Sequence, residues 1–319
     1  MKKLRTSLLC IFLFHFLVPS LIASPRGKSY VKNPKGYSFG VRTTGKGSPM
    51  ILIPGFRGSA DTYDEIVAHY KTRFKCYVIT PAGFAGQPGL VGNDHPLRVQ
   101  RDEIIQFILD NRLQKPILVG FSFGGSLALW IASTRPDLIG ALIELDGVPF
   151  DAAVENPNVN TDSIKNVAEK RRLKIVSKNA AYWVKIDSTR HTAKYRNDGI
   201  DELKKLVTDS LRINQILDWD DLSDYKTSGL MDAEQEGLDL RDSVRKIKSP
   251  ILVLGSWMGW DNIKTKEQAE ARYRNQYTLA KDLTLAFSAN GKHFLMYEDF
   301  NWMIAQMDRF LKQHRKKNS

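Results

Sequence analysis

The sequence predicts an α/β protein, a mostly parallel, doubly wound sheet with a helical cap inserted between two late strands. Three observations carry this expectation. Apolar, β-branched runs alternate with helix-periodic segments from Tyr37 to Leu145 and resume at Pro250. One junction, Pro116 to Ile131, passes from a strand pattern through a glycine-flanked serine into a helix pattern. From Asp151 to Ser249 the β-branched runs give way to charged, helix-periodic sequence, so a block of helices interrupts the sheet.

The opening residues, 1–24, stand apart from this pattern. A basic head (Lys2, Lys3, Arg5), an apolar centre from Leu8 to Val18 and small residues at Ser20, Ala23 and Ser24 have the layout of a secretory signal peptide. The apolar centre is short for a membrane span, which takes about 20 residues. Export to a periplasm or the exterior is expected; an uncleaved leader would act as a membrane anchor. Cys10 leaves with the leader, so Cys76 is the one thiol of the mature chain and no intramolecular disulfide can form. Stability must then come from a packed core. The expected organisation is a core in two parts, 25–150 and 249–319, around a cap at 151–248.

Within the first part, Tyr37–Thr43 and Pro49–Ile53 read as strands joined by a turn at Gly45-Lys46-Gly47. The second runs into the loop Pro54-Gly55-Phe56-Arg57-Gly58. A helix over Asp61–Lys71, a strand over Lys75–Thr80 and a helix over Leu97–Leu113 follow. Between the last two, Pro81–Pro88 is glycine-rich but lacks the Gly-Lys-Ser/Thr ending of a phosphate loop, which argues against a nucleotide site. Leu138–Leu145 is a strand that delivers Asp146 to the carboxyl edge of the sheet, where α/β folds collect functional groups. The strands Pro250–Gly255 and Leu283–Ser288 and a terminal helix over Trp302–Gln313 complete the pattern.

The chemistry concentrates at Gly120-Phe121-Ser122-Phe123-Gly124. A turn this tight between strand and helix strains the central residue and tolerates no side chain two positions to either side. It lifts the serine Oγ clear of the sheet, and the N–H groups that follow lie at a helix N-terminus, able to face an oxyanion.

This stretch resembles the nucleophile elbow, G-x-S-x-G, of the α/β-hydrolase family. The resemblance implies that Ser122 is the nucleophile and that the backbone N–H groups of Phe56 and Phe123 form the oxyanion hole. Pro54 stands where the family usually has histidine, which leaves the backbone donor unaffected. Asn290-Gly291-Lys292-His293, before an apolar run, resembles the family's histidine loop and makes His293 the general base. The acid has two candidates. Family members commonly place it a few residues after the strand that ends at Gly255; Met258 occupies that spacing, so Asp261, the first choice, needs a longer loop. Asp146, at the end of the preceding strand, is the alternative.

A serine–histidine–carboxylate set performs acyl transfer, because imidazole can take the serine proton near neutral pH and return it to a leaving group. The aromatic residues Phe56, Phe121, Phe123, Trp257 and Trp260 predict an apolar acyl pocket, with Trp183 and Tyr182 contributed by the cap. A small or medium carboxylic ester is the expected substrate. Thioester, perhydrolase and carbon–carbon cleavage are alternatives on the same framework, and a non-catalytic ligand-binding protein is the rival class. No metal or organic cofactor is expected, since no H-E-x-x-H or cysteine cluster exists. The formal charge of +12 comes without a nucleic-acid recognition motif. It reads as a solvated basic face, with weak attraction to anionic membrane surfaces or acidic substrates as the lesser reading.

Overall fold

The computed structural model describes residues 33–34, 36–190, 192–258, 260 and 262–315. The expected leader and Asp261 lie outside the described residues.

The first half of the chain lays down β1 (Gly40–Gly45), β2 (Ser48–Ile53), α1 (Asp64–Tyr70), β3 (Phe74–Thr80), α2 (Pro96–Asp110), β4 (Ile117–Phe121), α3 (Phe123–Thr134) and β5 (Ala141–Leu145). Helices α4 (Asp151–Glu155), α5 (Thr161–Val176), α6 (Ala180–Arg190), α7 (Ala193–Leu206), α8 (Ser210–Asp221) and α9 (Tyr225–Glu236) intervene. The sheet resumes with β6 (Ile251–Gly255), α10 (Lys266–Gln276), β7 (Leu283–Phe287), α11 (Leu295–Glu298) and α12 (Phe300–Arg315).

The seven strands form one sheet in the order β1-β3-β2-β4-β5-β6-β7, with β1 antiparallel to β3 and the remaining pairs parallel. Every residue of β4, β5 and β6 is buried, the signature of a parallel sheet covered on both faces. The side-chain alternation divides the core. Ile51, Ile53, Leu118, Leu142 and Val253 face α2, α3 and α10, whereas Met50, Leu52, Val119, Phe121, Ile143 and Leu254 face α1 and α12.

The chain leaves β2 for β3 on one side and later enters β4 on the other. A crevice opens at the carboxyl ends of strands where the order reverses in this way. Register then fixes what stands at its rim. Ile53 pairs with Gly120, Phe121 with Leu145 and Leu145 with Leu254, so the first residues beyond β4, β5 and β6, namely Ser122, Asp146 and Ser256, line up along one edge.

Two element boundaries differ from the sequence reading. Strand β1 starts at Gly40 rather than Tyr37, because Tyr37 stacks on Phe39 at 5.3 Å and donates its hydroxyl to Asp110 at 2.5 Å, tying the entering chain to α2. The helix expected from Asp61 begins as a 3-10 turn over Ala60–Tyr63, whose N–H at Asp61 donates to the Ser59 hydroxyl, and becomes α-helical at Asp64. Helix α10 adds an element the sequence reading did not include. Its Ala269, Tyr273 and Gln276 are buried on one face.

The inserted helices are anchored to both core layers. Leu203, Leu206, Ile213 and Leu217 of α7 and α8 join the layer under α12, and Met231 of α9 joins the layer under α2 and α3.

Candidate active site

Ser122 occupies the single residue between β4 and α3, with φ 51° and ψ −117°. Its N–H donates to the Leu145 carbonyl at 3.0 Å, and its carbonyl accepts from Gly125 N at 2.8 Å and Ser126 N at 3.2 Å. Glycines make this possible. A Cβ at Gly120 would lie 2.4 Å from the Gly124 carbonyl oxygen, and one at Gly124 would lie 2.1 Å from the Ile53 carbonyl oxygen. The start of α3 thus rests directly on the end of β2.

The loop after β2 lies against this elbow. A Cβ at Gly55 would meet the Phe121 ring at 2.8 Å and Ser122 Cβ at 3.6 Å, and the Phe56 and Phe123 rings are 6.0 Å apart. The two segments that carry the expected oxyanion donors are therefore adjacent.

Asp146 is the first residue beyond β5 and has φ 52°. Its backbone N–H donates to the Leu254 carbonyl at 2.7 Å, and its carboxylate accepts four hydrogen bonds. Oδ1 takes Ser256 N and the Tyr273 hydroxyl, both at 2.7 Å; Oδ2 takes the Ser256 hydroxyl and His293 Nδ1, both at 2.6 Å. The carboxylate is fully buried and the His293 side chain is 13% exposed. His293 follows β7, and its ring packs 4.9 Å from that of Phe121, the neighbour of Ser122. With Nδ1 engaged by Asp146, Nε2 is the nitrogen left to act as a base.

The structure thus pairs His293 with Asp146; Asp261 lies outside the described residues. Two supports of this pair escaped the sequence reading. Ser256 follows β6 directly, and Tyr273 comes from α10, its hydroxyl pKa driven well above the phenolic range by burial and by the Asp146 charge. The spacing of Ala269, Tyr273 and Gln276 was the available signal for Tyr273.

The expected pocket aromatics divide. Phe121 is 2% exposed and packs against His293 and Phe294, sharing one face of β4 with Ile117 and Val119. Trp257 donates its indole N–H to the Ala289 carbonyl at 3.0 Å, and Trp260 is half-buried against the core. Trp183 stands edge-on to Tyr182 at 5.0 Å on α6, a helix with no buried residue.

Two further carboxyl groups border the elbow. Asp151, at the start of α4, keeps contact with solvent, yet protein atoms crowd it enough to push its pKa up to about 6 by desolvation, with Asp232 and Asp146 raising it and His293 lowering it. Gln235 of α9 donates to Asp151 at 2.9 Å and to the Ser126 hydroxyl at 3.2 Å, tying cap, α4 and the elbow helix together. Glu144, on β5, is fully buried beneath the elbow, and burial raises its pKa far above the carboxylate range. Its oxygen would lie 2.3 Å from a Cβ at Gly125 and 2.4 Å from one at Gly147, so the elbow is sealed by a neutral carboxyl. Among the described residues no cluster of three or more His, Cys, Asp or Glu side chains is arranged to hold a metal ion.

A strained serine between strand and helix, with a histidine–aspartate pair on the same sheet edge and helices inserted after β5, defines the α/β-hydrolase architecture. The chain belongs to that family: the profile of the alpha/beta hydrolase fold matches residues 48–299. Among curated relatives, the pimeloyl-[acyl-carrier protein] methyl ester esterase of Aliivibrio salmonicida is 27% identical over 112 residues, 35% of this chain and 41% of that protein. The match thus spans less than half the length of that relative. Among solved structures, MenH from S. aureus superposes with a TM-score of 0.64 at 16% identity, covering 87% of this chain and 99% of that one. A thermophilic esterase from Thermogutta terrifontis gives a TM-score of 0.61 at 18% identity, covering 86% and 93%. At these identities the structural likeness concerns the fold.

Proposed function

We propose that the protein is an exported serine hydrolase that cleaves carboxylic esters with small to medium apolar acyl groups. The observation that carries this reading is the 2.6 Å contact of His293 Nδ1 with a buried, four-fold hydrogen-bonded Asp146, on the sheet edge where Ser122 holds its left-handed turn. The esterase relative supports the same reaction class.

In the proposed reaction His293 Nε2 takes the Ser122 proton as Oγ attacks the ester carbonyl. The N–H groups of Phe56 and Phe123 face the oxygen that becomes negative, an arrangement in which one donor is worth about 10²–10³ in turnover. Asp146 fixes the tautomer and stabilises the imidazolium. Protonation of the leaving alkoxide by His293 releases the alcohol. Water then attacks the acyl-enzyme, with the same imidazole as base, to free the acid and Ser122.

The test is active-site labelling. A fluorophosphonate probe is expected to label one site per chain, with labelling abolished in Ser122→Ala, and p-nitrophenyl butyrate is expected to give turnover that Ser122→Ala lacks. An intact protein that neither labels nor turns over short-chain esters would overturn the proposal in favour of a non-catalytic binding protein. Mass spectrometry of the secreted chain, expected to begin near Ala23 or Ser24, tests export.

A further inference from the structure

Arg57 follows the oxyanion donor Phe56 directly and has φ 54°, a left-handed conformation that costs a non-glycine residue free energy. At Arg57 the side chain is buried and held. Nε donates to the Ser228 hydroxyl at 2.9 Å and Nη1 to Asp220 Oδ1 at 2.7 Å. The guanidinium lies 3.5 Å from the centroid of the Tyr225 ring and 4.9 Å from that of Phe56. The Tyr225 hydroxyl donates to the other oxygen of Asp220. Arg57 is 8% and Asp220 4% exposed, so the ion pair is desolvated on both sides.

Asp220, Tyr225 and Ser228 all belong to the α8–α9 hairpin of the cap, and the turn of that hairpin is itself fixed to the core. Asp224 N donates to the Gly83 carbonyl at 2.8 Å, Gly86 N to the Leu222 carbonyl at 3.1 Å and Ala85 N to the Ser223 hydroxyl at 2.9 Å. The cap therefore presents a rigid anchor, and the arginine grips it one residue from the oxyanion donor.

We propose that Arg57 is a positioning residue: its buried pairing with Asp220 and Ser228 holds the loop after β2 in the conformation that aims the Phe56 N–H, so that seating of the cap sets the oxyanion hole. The inference rests on the ester-hydrolase reading above. Once the guanidinium is released, φ at Arg57 relaxes towards negative values and the Phe56 donor swings off the developing oxyanion. The loss then falls on the transition state and leaves binding of the ground-state ester untouched.

Removing one member of a buried pair leaves an uncompensated charge, whereas replacing both with apolar residues is tolerated far better. The test is therefore the double variant Arg57→Met/Asp220→Leu, beside Ser228→Ala and Arg57→Lys, in the full chain. Wild-type turnover of p-nitrophenyl butyrate is established first; its absence sinks the hydrolase reading and not this one in particular. The double variant is expected to keep its melting transition while kcat falls about 100-fold and KM stays within about threefold. Fluorophosphonate labelling, which also builds charge on an oxygen in that hole, is expected to slow in parallel. Arg57→Lys is expected to recover part of kcat. If the double variant fails to fold, Ser228→Ala decides, with an expected drop in kcat of about threefold to tenfold at unchanged KM and melting temperature. A folded variant with kcat within threefold of wild type, or a loss confined to KM, overturns the proposal.

Discussion

Asp146 offers the sharpest test of how the site is built. Alanine is the wrong replacement, because three buried donors besides His293 would lose their acceptor: Ser256 N–H, the Ser256 hydroxyl and the Tyr273 hydroxyl. At about 1–3 kcal/mol for each unsatisfied group, the loss is on the order of 5 kcal/mol, comparable with the whole net stability of about 5–15 kcal/mol. Asparagine separates chemistry from folding. Its carbonyl oxygen can keep the Ser256 N–H and Tyr273 bonds, and the Ser256 hydroxyl can turn to accept from the new amide. His293 cannot adapt without cost. Its Nδ1 then faces a donor, the ring proton moves to Nε2, and Nε2 can no longer take a proton from Ser122. The expected result is a fall in kcat of about 10⁴, about 5 kcal/mol of barrier, with a melting temperature within a few degrees of wild type. Asp261→Asn, assayed in parallel with p-nitrophenyl butyrate, is expected to stay within threefold of wild type. A folded Asp146→Asn that retains turnover within tenfold, or a large loss at Asp261, would refute the assignment of Asp146 as the acid.

Three further outcomes are expected. Gly124→Ala brings a Cβ to 2.1 Å from Ile53 O and 2.5 Å from Pro54 O, both backbone atoms, so α3 must lift off β2; a stability loss of about 1–3 kcal/mol and a fall in kcat of at least tenfold should appear together in denaturation and kinetics. Tyr273→Phe removes one of four bonds on Asp146 while Ser256 N still holds Oδ1, so a loss of about 1 kcal/mol and less than tenfold in kcat is expected from the same pair of assays. Glu144 is held protonated in the fold and ionises readily once unfolded. The native state therefore binds the extra proton, and stability falls as pH rises above the ordinary glutamate range. Urea titrations at pH 5 and pH 8 should show this decline in wild type and a smaller one in Glu144→Gln; equal declines would contradict a buried neutral carboxyl.

The elbow was readable in one dimension because its demand is steric and local. Gly120 and Gly124 sit where any Cβ would strike backbone, and a strand pattern precedes them. The partner of His293 was not readable in the same way. Asp146 and Asp261 each follow a strand, and only the three-dimensional meeting of β5, β6, α10 and the loop after β7 gives Asp146 its four partners. Tyr273 lies 127 positions from Asp146 in sequence, a pairing that no local pattern encodes. Phe121 shows the reverse case, since period-two alternation from Ile117 and Val119 already places it on a buried face. Arg57 looked like one more loop cation, because the segment that buries it comes from a cap more than 160 residues away.

The three strands that meet at the crevice share one backbone device. Arg57, Ser122 and Asp146 lie just beyond β2, β4 and β5 with φ of 54°, 51° and 52°. At about 1–2 kcal/mol for each left-handed non-glycine residue, the rim stores roughly 3–6 kcal/mol, a sizeable share of the net stability of a domain. Glycine would remove the strain at each position, along with the hydroxyl, carboxylate or guanidinium that the turn presents. Each residue is instead held by contacts that leave no easier conformation: backbone collisions around Ser122, four hydrogen bonds on Asp146 and the buried cap pairing on Arg57. Since two of these restraints reach across from α10 and from the α8–α9 hairpin, the conformation of the sheet edge depends on elements remote in sequence. Loosening either element should then cost the geometry of the crevice before it costs the fold.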